Sequence, residues 1–140
     1  MAKIEKFEDL QVWQLARDVS LHIWFLIENT PLGRDYELKN QMSRSSGSVM
    51  DNIAEGFERN GNKEFIHFLS IAKGSCGELR SHLYRAFDRK HISFEQFTEL
   101  AAKAEFQNKK IGAFISYLRS SDYKGVKFKP LTDSTLNPEP

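Results

Sequence analysis

Apolar residues in this chain recur at alternating intervals of three and four over three long segments. The first runs Val12, Ala16, Val19, Ile23, Leu26, and the second Phe65, Leu69, Ala72, Cys76, Leu79, Leu83, Ala86. The third runs Phe94, Phe97, Ala101, Ala104, Asn108, Ile111, Ile115, Leu118. Such spacing returns a side chain to one face of an α-helix, and a strand, with its period of two, does not reproduce it. A fourth segment, from about Asp35 to Arg59, is weaker, with Leu38, Met42, Ser45, Val49, Asn52 and Gly56 in line. The spacing predicts an all-α protein with helices at about 9–29, 35–59, 62–90 and 94–120.

Punctuation agrees with these bounds. Asp9 is placed to cap the first helix, and Pro31 and Gly33 to end it. Asp35 is placed to cap the second, and Asn60-Gly61-Asn62 separates the second from the third. Ser93 with Gln96 three residues on reads as a capping box opening the fourth. Short connections favour antiparallel neighbours, hence an up-down-up-down four-helix bundle forming one domain over residues 1–122. Residues 123–140 read as a basic stretch followed by a disordered tail from Leu131 to Pro140.

The composition, 40% hydrophobic and 28% charged, is that of an ordinary globular domain. One cysteine, Cys76, excludes an internal disulfide framework and fits a reducing compartment. Met1-Ala2-Lys3-Ile4-Glu5 has no apolar core of a signal peptide, and no run approaches the ~20 apolar residues of a membrane span. A cytoplasmic location and no membrane partner are expected.

Charge is unevenly placed although the sum is only +1. Residues 1–30 carry net −2, and residues 103–129 net +5. The basic block reads either as a surface for an anionic partner or as a solvated helix face whose last turn suits cations. On the first reading Lys109, Lys110, Arg119, Lys124, Lys127 and Lys129 contact nucleic-acid phosphates, with Tyr117, Tyr123 or Phe128 available for stacking. Arg44, Arg80 and Arg85 add to that surface if they face outward.

No constellation for catalysis stands out. Gly-rich phosphate loops, His-Glu-x-x-His and Cys-x-x-Cys are absent. Glu64-Phe65-Ile66-His67 is a Glu-x-x-His pair, but a di-metal bundle site needs two such pairs on different helices. Asp88-Arg89-Lys90-His91 is a loose second pair on the same predicted helix, and the fourth helix has no histidine. No enzyme activity, cofactor or metal is therefore expected. Cys76, on the core stripe, is expected to be an inert packing residue.

Five features point to specificity rather than chemistry. Asn52-Ile53-Ala54-Glu55-Gly56-Phe57 puts Asn, Glu and Gly where a helix buries its apolar face. Glu55 and Glu78 are expected near inward positions, bonded to Arg44, Asn52 or a serine. The small residues of Ser43-Arg44-Ser45-Ser46-Gly47-Ser48 read either as a break or as a place where another helix comes close. Asn108 is expected as a buried amide that fixes register. Leu10, Trp13, Leu21, Trp24 and Phe25 lie partly off the first helix's stripe, which either reflects coverage of two flanks or marks a self-association face.

Four blocks carry a resemblance. They are Phe7-Glu8-Asp9-Leu10-Gln11-Val12-Trp13, Asn52-Ile53-Ala54-Glu55-Gly56-Phe57-Glu58-Arg59, Lys63-Glu64-Phe65-Ile66-His67-Phe68-Leu69 and Ala72-Lys73-Gly74-Ser75-Cys76-Gly77-Glu78-Leu79. From about Phe7 to Leu118 the chain resembles the four-helix bundle proteins of the 23S rRNA intervening-sequence (S23) family. It is similar, more distantly, to the accessory variability determinant proteins of diversity-generating retroelements. The resemblance implies an antiparallel bundle assembled into a ring, commonly a homopentamer, without catalytic activity or cofactor. It implies nucleic acid, RNA or DNA, as a partner, and Asn52, Glu55, Gly56, Glu64, Gly74, Ser75 and Glu78 as structural determinants. The family often has Ile-Pro before its Ser-Asn-Ile-Ala-Glu-Gly, whereas Val49-Met50-Asp51 stand here, so the resemblance carries no proline kink into this chain. The alternative reading is a protein-interaction scaffold whose partner is another protein.

Overall fold

The computed structural model of the chain describes residues 4–121. Among them are four α-helices and no strand: α1 (Gln11–Asn29), α2 (Tyr36–Glu58), α3 (Asn62–Asp88) and α4 (Phe94–Arg119). The expected basic stretch and tail, 123–140, lie outside the described residues. No described helix is long and apolar enough to cross a membrane.

Helix ends follow local chemistry. Phe7–Asp9 form a 3₁₀ turn, so α1 starts at Gln11 rather than at Asp9. The position before it, Leu10, has extended backbone (φ −75°, ψ 128°) and gives no side-chain cap. Leu10 is thus off the helical lattice, and its side chain turns inward and is fully buried instead of sitting on the outer face. Asp35 caps α2 as expected: the Leu38 N–H donates to Asp35 Oδ1 at 3.2 Å. Gly61, before α3, has φ 139°, a conformation only glycine adopts cheaply. The α4 capping box is complete, with Gln96 N–H donating to Ser93 Oγ at 3.0 Å and Ser93 N–H to Gln96 Oε1 at 2.9 Å.

The core has two apolar halves. One gathers Val49, Ile53, Phe57, Phe65, Leu69 and Phe114; the other gathers Leu26, Leu32, Leu38, Met42, Leu83 and Leu100. Each such side chain contributes ~1.5–3 kcal/mol on burial. α2 stays helical through its serine run and uses it for polar bridges. Buried Ser45 Oγ lies 3.2 Å from His82 Nδ1, and burial pushes the His82 pKa below its ordinary value. Asn52 Nδ2 donates to Ser48 O at 2.8 Å and to Ser48 Oγ at 3.0 Å, and Ser48 Oγ lies 2.8 Å from Ser75 Oγ on α3. Gly56 lets α3 approach α2 closely: a Cβ there would sit 2.8 Å from Phe68 Cβ and 3.0 Å from Phe65 Cδ1.

Two inward expectations are corrected. Glu55 and Glu78 are exposed, and Glu55 pairs with Arg59 at 2.8 Å one turn along α2. On α4 Ala104, Ile111, Ile115 and Leu118 of the expected line are buried, but Phe94, Phe97 and Asn108 are not, and Leu100, Gln107 and Phe114 take their place in the buried face. Phe94 is 64% exposed, and Asn108 is half-buried. The buried amide is Gln107, whose Oε1 accepts from the Cys76 thiol at 3.3 Å. Cys76 also donates to Ala104 O at 3.2 Å, and burial raises its pKa, which keeps the thiol protonated.

Asp35 also ties the two connections at one end of the molecule. Its Oδ2 lies 2.8 Å from Arg89 Nη1 and 2.9 Å from His91 Nε2. Bonding to Arg89 first, then to His91, lowers its pKa from 3.8 to about 2. A depressed carboxylate contributes stability above its unfolded value, and this is lost as pH falls through the folded value. Stability is therefore expected to fall between about pH 4 and pH 2 through this group. In Asp35→Asn that fraction of the acid loss disappears; acid denaturation profiles identical for both proteins would refute the assignment.

Candidate nucleic-acid interface

A groove of about 830 Å³ lies between α3 and α4. On the α3 side Lys73, Gly77 and Arg80 follow one another at helical spacing, and Gly74 lies beside Lys73. On the α4 side Asn108, Gly112 and Arg119 do the same. Contacts between the helices run from Asn62–Leu118 at one end, through Lys73–Asn108, to Phe87–Phe94 at the other. Asn108 Nδ2 donates to the Lys73 carbonyl at 3.2 Å, which positions the groove's floor.

The glycines have different reasons. Gly112 makes room for the Lys73 stem: a Cβ would lie 3.2 Å from Lys73 Cε. Gly74 and Gly77 have no such neighbour, since a Cβ at either meets nothing within 4 Å. Each nevertheless costs the helix ~1 kcal/mol relative to alanine. Packing among the described residues gives no reason for them. Lys73, Arg80 and Arg119 are all groove residues, and among the described residues no acidic side chain lines it. Among the described ion pairs none involves these three cations.

The expected phosphate contacts separate. Arg119 lines the groove. Lys109 is exposed, with Glu105 at 3.5 Å one turn before it. Lys110 is 2% exposed, which corrects its placement on an outer surface. Its aliphatic stem is buried with the apolar face of α4, and its ammonium lies 5.8 Å from the centroid of the Phe106 ring. Lys124, Lys127 and Lys129, with Tyr123 and Phe128, lie outside the described residues. Tyr117 packs against the core, and Arg85 is held by Gln41 and Glu37. Arg44 is exposed. Lys73 was missed by sequence reading; the signal available was Lys73-Gly74 followed by Gly77 and Arg80 on one helical face.

On α1, Leu21, Trp24 and Phe25 are exposed by 59%, 56% and 54%. Leu21 and Trp24 border a second groove of about 370 Å³ with Ile27 and Met50. Trp13 is half-buried, edge-on to Phe7 at 5.2 Å and under Arg17 at 5.9 Å. Of the motif residues, Asn52 and Ser75 bridge α2 to α3 through Ser48, and Gly56 is the close approach. Gly74 floors the α3–α4 groove, while Glu64 is exposed, 4.0 Å from Arg59. Among the described residues no three His, Cys, Asp or Glu side chains gather in a way that holds a metal ion.

Four helices, a polar cation-lined groove and a separate apolar face define an all-α protein whose visible features are surfaces for contact. The chain belongs to the 23S rRNA-intervening sequence protein family, which it matches over residues 8–113. A solved structure from Bacteroides thetaiotaomicron VPI-5482, a protein of unknown function from the S23 ribosomal protein family, is similar in fold. Its TM-score is 0.68 at 22% identity, covering 75% of this chain and 95% of that chain. No curated protein matches the chain.

Proposed function

We propose that this protein is a non-enzymatic helical scaffold that binds nucleic acid through the α3–α4 groove, with Lys73, Arg80 and Arg119 on phosphates. The observation that carries this reading is a groove with three cations and, among the described residues, no acidic lining, bordered by Gly74 and Gly77, which intrachain packing does not require. Phosphate neutralisation by Lys and Arg supplies most sequence-independent affinity, and it leaves a signature in salt. The log–log slope of affinity against salt is expected near −2, from three contacts at ~0.7 each on a single strand. Lys73→Ala and Arg80→Ala should each reduce the slope by about 0.7. A slope that neither variant changes in titrations with RNA and DNA rejects the groove. In this reading the helices form an antiparallel up-down-up-down bundle, supported by the order of contacts along α3 and α4.

A second reading has its own observation, the aromatic face of α1. Leu21, Trp24 and Phe25 mediate assembly into a ring of identical subunits, leaving the groove free. The particle mass in solution tests this: a monomer at micromolar concentration removes it.

A further inference from the structure

The α3 stripe that lines the groove continues past Arg80, the last α3 residue of the groove itself. Lys73, Gly77, Arg80, Tyr84 and Phe87 advance along α3 by intervals of four and three, so they form one stripe. Beyond Arg80 this stripe meets α4 in a ladder of rings. Tyr84 lies 5.0 Å from Phe97, Phe97 lies 5.1 Å from Phe87, and Phe87 lies 6.0 Å from Phe94. The inner two rings are half-buried, whereas Tyr84 and Phe94 are 59% and 64% exposed. A lone exposed ring needs no explanation. Two exposed rings held in place by two packed ones, one helical turn from a cation-lined groove, form a platform.

We propose that this flank is one continuous track for a nucleic-acid strand with unpaired bases, the phosphates lying along Lys73 and Arg80 and the bases stacking on Tyr84 and Phe94. This rests on the nucleic-acid reading above and adds the class of strand. A charged groove that follows the backbone, combined with rings that accept any base face, is the arrangement that holds single strands without sequence preference. In a duplex the base faces are covered by their neighbours, so the ladder adds nothing to duplex binding. Both rings stand outside the core clusters, so replacing them leaves the fold intact.

The test compares an unpaired oligonucleotide, as RNA and as DNA, with a duplex carrying the same number of phosphates, by fluorescence anisotropy over salt. Tyr84→Leu/Phe94→Leu keeps apolar bulk and removes both ring faces. The parent protein is expected to bind the unpaired strand at least tenfold tighter than the duplex. The double variant should lose roughly tenfold per stacked base on the strand, with duplex binding and the salt slope unchanged. Tyr84→Phe should retain binding. RNA bound more tightly than DNA adds a 2′-hydroxyl contact to the track; equal binding makes the strand's backbone and bases sufficient. Equal strand and duplex affinities that the double variant does not change overturn the track, while the groove stands if Lys73→Ala still reduces the slope. A double variant that alters only particle mass makes the ladder a protein contact and also overturns the proposal. No binding by any nucleic acid removes both readings.

Discussion

Phe65→Ala is expected to lower the unfolding free energy by about 3–5 kcal/mol, the range for removing a large ring from a packed core. Phe65 is fully buried where three helices meet. Its ring lies 6.0 Å from Phe57 of α2 and 5.2 Å from Phe114 of α4, both edge-on. Gly56 leaves the hollow that the ring fills, with the position of a glycine Cβ only 3.0 Å from Phe65 Cδ1. A glycine has no side chain to swing into the space, so the cavity stays open and the cost sits high in its range. Domains of this kind hold a total of about 5–15 kcal/mol, so the variant is left marginal. Thermal unfolding followed by circular dichroism should show a midpoint lower by roughly 10–25 °C. A loss under 1 kcal/mol would mean that the three-helix junction does not pack around this ring.

Gly74→Ala/Gly77→Ala is expected to move stability and binding in opposite directions. Neither added methyl meets a neighbour within 4 Å, and both replace glycine in the interior of α3. The double variant should gain ~1–2 kcal/mol in stability from helix propensity and reduced freedom of the unfolded chain. The same methyls stand on the floor of the groove, where a strand must approach the helix backbone. Binding should weaken by roughly tenfold, the equivalent of ~1.4 kcal/mol. Denaturant titration reads the first effect and anisotropy the second. A more stable protein that binds as before would mean the glycines serve nothing at this surface.

The parts legible in sequence were those set by local rules. Asp35 and the Ser93–Gln96 box act within three residues, and both form as expected. The stripes of α1 and α3 were legible because their buried residues follow the apolar spacing of three and four. α4 was read only in part for a physical reason: Ala104, Ile111, Ile115 and Leu118 of the expected line are buried, but Phe94 and Asn108 lie at its edge toward α3, and Gln107 and Phe114 on the neighbouring line complete the buried face. Leu10 escaped because helical periodicity does not extend to an extended residue ahead of the helix. Lys110 escaped because a charge label says nothing about where a four-carbon stem is packed. The groove was hardest to see. Its cations are contributed by two helices, and Lys73 and Arg119 are 46 positions apart, so the basic block at 103–129 does not mark it alone.

The carboxylate of Asp35 has a kinetic consequence. Its bonds to Arg89 and His91 join residues 54 and 56 positions away, whereas its cap on Leu38 is local. α2 and α3 meet sooner through nearer pairs such as Gly56 with Phe65, nine positions apart. The ties to Arg89 and His91 are therefore expected to form late, after α2 and α3 have docked. Losing those two ties is expected to speed unfolding more than it slows refolding, so mild acid should shorten the lifetime of the native state, which folding and unfolding rates at neutral and acid pH would check.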